Sequence, residues 1–144
     1  MRIVLDTNIL LGATFSNQGS CYQLVKAGLA GELIWVCSVA LMLEYEEVLK
    51  RPEHLKKSGA RAEEIDEILV AAAAVIEPVR FSFLWRPELN DPNDEMILEA
   101  AVNGRADLVV TMNLRHLEAG LRRFGIPALG PGDSLRWIRS KIKS

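Results

Sequence analysis

Three short apolar segments constrain the fold of this chain more than any other feature. They lie at residues 2–5, 33–37 and 107–111, and none of them alternates apolar with polar side chains. Strands that are apolar on both faces belong to parallel sheets that helices cover on both sides. Because helical patterns separate these segments, the sequence predicts an α/β fold with a mostly parallel sheet between two layers of helices.

The helical patterns have recognisable ends. Ser38 is a suitable N-cap, and Pro52 and Pro78 stop the helices that precede them. Residues 79–85 form either a weak strand or an extended connection. Residues 126–129 are a candidate fourth strand, and residues 114–118 a short helical turn. The remaining predicted helices cover residues 20–30, 38–51, 65–76, 92–104 and 134–143. The 144 residues fit one domain, with no internal repeat or linker.

Several classes of protein do not fit this composition. The sequence has no apolar run of about 18 residues, so we expect no membrane span. It begins with no pattern of a signal peptide, and we expect a cytoplasmic protein. Under those conditions Cys21 and Cys37 should be buried free thiols and not a disulfide.

Charge is distributed unevenly along the chain. Residues 1–104 hold nine Lys and Arg against 16 Asp and Glu, a balance of −7, whereas residues 105–144 hold eight against three, a balance of +5. Such asymmetry permits a polyanionic ligand over one face, although a solvated basic C-terminal helix is the simpler explanation. The candidate phosphate contacts are Arg115, Arg122, Arg123, Arg136 and Arg139. Arg136 and Arg139 share a helix face, and we place Arg122 and Arg123 on a connection.

Polar residues follow two of the apolar strands. Asp6 comes directly after the first, and Thr111 and Asn113 end the strand at residues 107–111. In open parallel sheets ligands bind outside the carboxyl ends of the strands. Helices that lead into a parallel strand begin at the same edge, so their first turns also belong to it.

Two helices offer further acids to this edge. In the helix after Ser38, Glu44 and Glu46 flank the apolar stripe, and periodicity alone does not choose between them.

In the helix that opens at residues 91–92, Asp91 is suited to the N-cap and Asp94 to the third helical position. Asp94 lies on the same stripe as the buried residues, and Glu95 lies on its flank. An acid pointing inward is costly unless it is paired or binds a metal. The alternative is that Asp94 closes a capping box with Asp91.

Three carboxylates at one edge repel each other unless a cation lies between them. Mg²⁺ and Mn²⁺ prefer carboxylate and water ligands. Such an ion produces hydroxide from bound water and stabilises charge on a phosphoryl oxygen. The site therefore favours metal-dependent hydrolysis of phosphodiesters, with Asp6, Asp94 and a glutamate of the second helix as ligands.

Four motifs follow one another along the chain and together span it from Ile3 to about Ile138. They read LDTNILL, SVALMLEYEEVL, DPNDEMILEAAVNGRADLVVTMNLRHL and PGDSLRWI. In this order they resemble the PIN domain, and more narrowly the toxin components of bacterial and archaeal toxin–antitoxin pairs. The resemblance implies a Rossmann-like three-layer α/β/α sandwich with an acidic pocket for Mg²⁺ or Mn²⁺. It also implies endonuclease activity on single-stranded RNA, a homodimer, and a cognate antitoxin that covers the pocket.

The resemblance assigns roles to individual residues. Asp6 matches the first acid of the family, Glu44 the acid of the second motif, and Asp94 that of the third, with Glu95 as the alternative alignment. Asn8 and Thr111 match polar residues that line the pocket.

The sequence departs from the family pattern after the strand at residues 107–111. Many members carry a fourth acid there, whereas this chain has Asn113, which still offers a polar side chain, and His116, which we expect on the surface. Two other functions remain open. One is a binding module that has lost catalysis. The other is a phosphotransferase like the haloacid dehalogenases, but Asn8 stands where those enzymes carry a second acid.

Overall fold

The computed structural model describes residues 1–79 and 92–143, and its elements alternate between strand and helix as expected. The strands are β1 (Arg2–Leu5), β2 (Ile34–Cys37), β3 (Glu77–Pro78), β4 (Leu108–Val110) and β5 (Ala128–Leu129). The helices are α1 (Thr7–Phe15), α2 (Ser20–Leu29), α3 (Val39–Leu49), α4 (Pro52–Ser58), α5 (Ala62–Val75), α6 (Pro92–Asn103), α7 (Leu114–Arg122) and α8 (Pro131–Lys143).

The five strands form one parallel sheet in the order β3-β2-β1-β4-β5. The chain first moves from β1 outward through β2 and β3, then returns to the other side of β1 for β4 and β5. The order therefore reverses between β1 and β4, the place where open α/β sheets form a ligand-binding crevice.

Consecutive strand residues are buried, which shows that both faces of the sheet are covered. Ile3, Val4 and Leu5 have no exposed surface, and neither do the three residues of β4. Adjacent strand residues point to opposite faces. The predicted three-layer α/β fold is thus confirmed.

Several elements differ from the sequence-based expectation. Helix α7 has nine residues where a short turn at 114–118 was predicted, and α8 begins at Pro131, three residues before the predicted start. Helix α1 was not predicted, because residues 9–11 are apolar in succession and show no helical period. Pro52 opens α4 instead of only ending the preceding helix, since proline is favoured at the first helical position. The third strand is Glu77–Pro78, whereas most of the segment predicted at 79–85 lies outside the described residues.

Two smaller expectations can be compared directly with the described residues. Cys21 and Cys37 are buried free thiols, as predicted. None of the helices within residues 1–79 and 92–143 has the length and apolar character needed to cross a membrane.

Candidate active site

Asp6 stands where the strand order reverses. Its amide donates to the carbonyl of Val110 at 2.9 Å, which continues the pairing of β1 with β4 by one residue. Its backbone then turns into α1, for which Asp6 is the N-cap. The side chain is 1% exposed. A carboxylate at this place also benefits from the positive end of the α1 dipole.

Two hydrogen bonds orient the Asp6 carboxylate. Oδ1 accepts from the amide of Thr7 at 2.7 Å, and Oδ2 accepts from the Thr111 hydroxyl at 2.6 Å. Thr111 has no exposed surface, and its Oγ1 also accepts from the Asn113 amide at 2.9 Å. The end of β1, the end of β4 and the start of α7 are therefore joined through one hydroxyl.

Asp94 belongs to the first turn of α6. It is 2% exposed, which agrees with the inward orientation expected from the helical phase. Helix α6 packs on β1, β2 and β4 and leads directly into β4. Its first turn therefore lies at the carboxyl edge of the sheet, as Asp6 does. Asp91, the alternative ligand and cap, lies outside the described residues.

Helix α3 distinguishes the two glutamates that periodicity left open. Glu44 is half-buried, whereas Glu46 is exposed and lies 3.7 Å from the ammonium of Lys50. Helix α3 packs against both α1 and α6, the helices that carry Asp6 and Asp94 at their N-termini. Glu44 is thus the acid of α3 that faces the protein.

Tyr45 connects α3 to the strand that carries Asp6, and sequence reasoning missed this role. The tyrosine is completely buried, and its hydroxyl donates to the carbonyl of Leu5. The indole Nε1 of Trp35 donates to the same hydroxyl at 3.4 Å. From the sequence, Tyr45 was only a member of an apolar stripe.

Tyr45 and Cys37 are neutral donors beside the site. Burial, and then the neighbouring Cys37 and Asp6, hold the pKa of Tyr45 well above its usual range. Burial likewise raises the pKa of the Cys37 thiol to about 12. Neither group is suited to exchange protons near neutral pH.

A divalent cation at this edge needs oxygen ligands. Among the residues that the structure describes, no three His, Cys, Asp or Glu side chains form a group that holds one ion, so the expected acids are not gathered into a ready-made cluster. Mg²⁺ commonly takes one or two carboxylates and keeps several waters. Thr7 Oγ1 and Asn8 Oδ1 are buried and have no hydrogen-bond partner within residues 1–79 and 92–143. These oxygens, next to Asp6, fit a hydrated ion.

The other predicted residues occupy the rim or the surface. Glu95 is half-buried on α6, and Asn113 is half-buried at the start of α7. His116 is exposed on α7, as expected.

The arginines differ in how far their charge is compensated. Arg115 is exposed at the start of α7, and the described residues provide it with no ion pair. Arg122 lies on α7, not on a connection as predicted, and pairs with a glutamate at 3.3 Å. Arg136 pairs with an aspartate of its own helix, and Arg139 donates to a glutamine of α2 at 3.1 Å. Arg123 is exposed at the C-cap of α7.

Comparisons with known proteins agree on the fold. The crystal structure of VapBC2 from Rickettsia felis bound to a DNA fragment from its promoter contains a chain with a TM-score of 0.55 and 17% sequence identity. The match covers 90% of this chain and 98% of that one. No curated protein is similar enough in sequence to count as a match. A family model described as PIN domain matches residues 2–115, which is more than half of the chain. The chain therefore belongs to the PIN-domain family.

Proposed function

We propose that this protein is a metal-dependent ribonuclease that hydrolyses phosphodiester bonds of single-stranded RNA, with Asp6, Glu44 and Asp94 as ligands of Mg²⁺ or Mn²⁺. The observation that carries this proposal is the burial of two carboxylates at one sheet edge. Asp6 and Asp94 are each no more than 2% exposed, and both belong to elements that meet at the strand-order reversal. Negative charge concentrated in such a crevice attracts a cation.

The chain's own residues would hold the ion and its waters. Asp6, oriented by Thr111, is the first ligand, and Asp94 approaches from α6. Asn8 and Thr7 offer buried oxygens for the waters of the ion. When bound, the ion supplies a hydroxide nucleophile and stabilises negative charge on the phosphate. Asn113 lines the pocket, and Glu95 and Asp91 are the alternative carboxylates.

The exposed arginines support an RNA substrate. Arg115 follows Asn113 closely, so its charge lies beside the proposed pocket. Binding to phosphates requires no particular base sequence. Arg122 and Arg136 exchange weak surface ion pairs for phosphate contacts at small cost, because exposed ion pairs contribute about 0–1 kcal/mol. Arg139 exchanges a hydrogen bond to a glutamine of α2.

The family and the solved structure of similar fold support a proposal about the partners. The chain belongs to the PIN-domain family, and the VapBC2 structure shares its fold. On this basis we propose that the protein is the toxin of a toxin–antitoxin pair, that a cognate antitoxin protein holds it inactive, and that two copies form a homodimer.

A nuclease assay with paired variants tests the proposed function. Unstructured RNA is incubated with Mn²⁺ and with wild type, Asp6→Asn, Glu44→Gln or Glu46→Gln. Groups that only orient metal ligands already cost about 10- to 100-fold when removed, so we expect losses of at least about 100-fold for Asp6→Asn and Glu44→Gln. Glu46→Gln, two residues away on the solvent side, should cleave at the wild-type rate. Equal cleavage by wild type and Asp6→Asn would indicate a contaminating nuclease.

A binding module without catalysis is the second candidate function. It is favoured by Asn113 and the exposed His116, which stand where many family members carry an acid. RNA binding without cleavage by any of the four proteins would support it.

Metal binding is measured separately by thermal melts. We expect Mn²⁺ to raise the melting temperature of wild type but not of Asp6→Asn, because a ligand of the folded state stabilises it.

A further inference from the structure

Tyr45 donates a hydrogen bond to the peptide group that joins Leu5 to Asp6. The carbonyl of Leu5 and the amide of Asp6 belong to one peptide group, which is planar and rigid. Its N–H donates to Val110 on β4 at 2.9 Å, and its C=O accepts from the Tyr45 hydroxyl. The plane is therefore held from both ends, by the sheet on one side and by α3 on the other.

The same hydroxyl fixes the rotation of α3. Adjacent residues of a helix are about 100° apart around its axis, so an anchored Tyr45 determines where Glu44 points. Tyr45 has no exposed surface and packs with its ring centroid 6.0 Å from that of Trp35. The contact joins residues 40 positions apart in sequence and adjacent to two of the proposed metal ligands.

We propose that Tyr45 is a positioning residue of the acidic site, whose hydroxyl sets the relative orientation of Asp6 and Glu44. This inference rests on the proposed function of those carboxylates as metal ligands. Tyr45 itself touches neither the metal nor the RNA. It acts by holding the Leu5–Asp6 peptide group and helix α3 in one geometry.

Mn²⁺ affinity in Tyr45→Phe tests the inference, because the substitution removes one oxygen and keeps the ring. We expect the Kd for Mn²⁺ to rise on the order of tenfold, the loss that one hydrogen bond at this place predicts. At limiting Mn²⁺ the cleavage rate should fall in proportion, while KM for RNA stays within about twofold. Unchanged Mn²⁺ affinity would overturn the inference.

Two control variants separate positioning from general loosening of the core. Tyr22→Phe alters the only other tyrosine, which is 37% exposed, and should keep wild-type affinity. Trp35→Phe weakens the same buried cluster but keeps the bond from Tyr45 to Leu5. If Trp35→Phe loses as much Mn²⁺ affinity as Tyr45→Phe, the effect is one of packing and the inference fails.

A measurement on the wild type remains informative if Tyr45→Phe does not fold. With tyrosine labelled by ¹³C at the ζ carbon, the protein gives two resonances, one for each tyrosine. Saturation with diamagnetic Mg²⁺ should shift the Tyr45 resonance and leave that of Tyr22 in place. An unmoved Tyr45 resonance in a protein that binds Mg²⁺ overturns the inference alone, whereas a wild type that binds neither Mg²⁺ nor Mn²⁺ overturns the proposed function as well.

Discussion

Replacing Thr111 by valine removes the hydroxyl that joins the ends of β1 and β4. Valine has the same shape, so the cavity is negligible and the loss is one of hydrogen bonding. The hydroxyl donates to the Asp6 carboxylate at 2.6 Å and accepts from the Asn113 amide at 2.9 Å, in a place with no exposed surface. A hydrogen bond to a charged group contributes about 1.5–3 kcal/mol. The amide of Asn113 loses its acceptor in this variant, but it can donate to water instead, because Asn113 is only half-buried.

We therefore expect Thr111→Val to lower the free energy of unfolding of the metal-free protein by about 2–3 kcal/mol. At roughly 3 °C per kcal/mol for a chain of this size, the melting temperature should fall by about 6–9 °C. The assay is thermal and urea denaturation followed by circular dichroism, with chelator present. Thr111→Ser keeps the hydroxyl and should lose only about 1 kcal/mol for the deleted methyl.

Thr14→Val is the control, because it removes a threonine hydroxyl that does not contact Asp6. Thr14 is half-buried on α1, and its hydroxyl donates to the carbonyl of Leu11 in the same helix. Such local bonds within a helix add little, so the change should be below about 0.5 kcal/mol. The reasoning about Asp6 is refuted if Thr111→Val destabilises the protein no more than Thr14→Val does.

Three further predictions concern positions around the core. Gly104→Ala should lower the melting temperature by roughly 10 °C, because the added Cβ would lie 2.2 Å from a methyl of fully buried Val36. Burial, and then the charge of Glu95, raise the pKa of Glu99 above its usual range. Ionised Glu99 therefore destabilises the folded protein at pH values above that pKa. Glu99→Gln should raise the melting temperature at pH ~7 and leave it unchanged near pH ~4, where the carboxyl is protonated. With a pKa of about 12, Cys37 should resist alkylation in the native protein at pH ~8 and react after denaturation, as mass spectrometry would show.

Two of these predictions have a matched control variant, and the third has a result that would contradict it. Gly19→Ala places its Cβ 3.9 Å from the nearest side-chain atom and should leave the melting temperature nearly unchanged. Glu118→Gln removes a carboxylate that pairs with an arginine, so it should not stabilise the protein at neutral pH. Rapid alkylation of native Cys37 would show that its strand opens easily, contrary to its 2% exposure.

The central strands and the sheet edge were predictable because a strand that is buried on both faces consists of consecutive apolar residues. Strand β1 coincides with the predicted residues 2–5, and Ser38 caps α3 by accepting from the amide of Leu41. Helix α1 has no comparable pattern in the sequence. Ile9 and Leu10 are both buried on successive faces of the helix, which removes the amphipathic period that reveals a surface helix.

The site was predictable as a set of residue types but not as a set of contacts. Topology indicates that Asp6 and Thr111 share an edge, yet the bond between their side chains depends on the register of β1 with β4. The role of Tyr45 depends on how far α3 is rotated and on a carbonyl 40 residues away. Neither quantity is encoded by local periodicity.

Asp6 has two roles, because it is both a proposed metal ligand and the N-cap of α1. Substituting alanine would therefore remove a ligand and a helix cap together, and lost activity could not be told from lost stability. Asparagine caps helices about as well as aspartate does, so Asp6→Asn keeps the cap while it removes the charge and one of the two acceptor oxygens. The same constraint acts on descendants of this protein. A copy released from catalysis still needs a capping residue here, so we expect substitutions at position 6 to be confined to Asn, Ser, Thr and Gly.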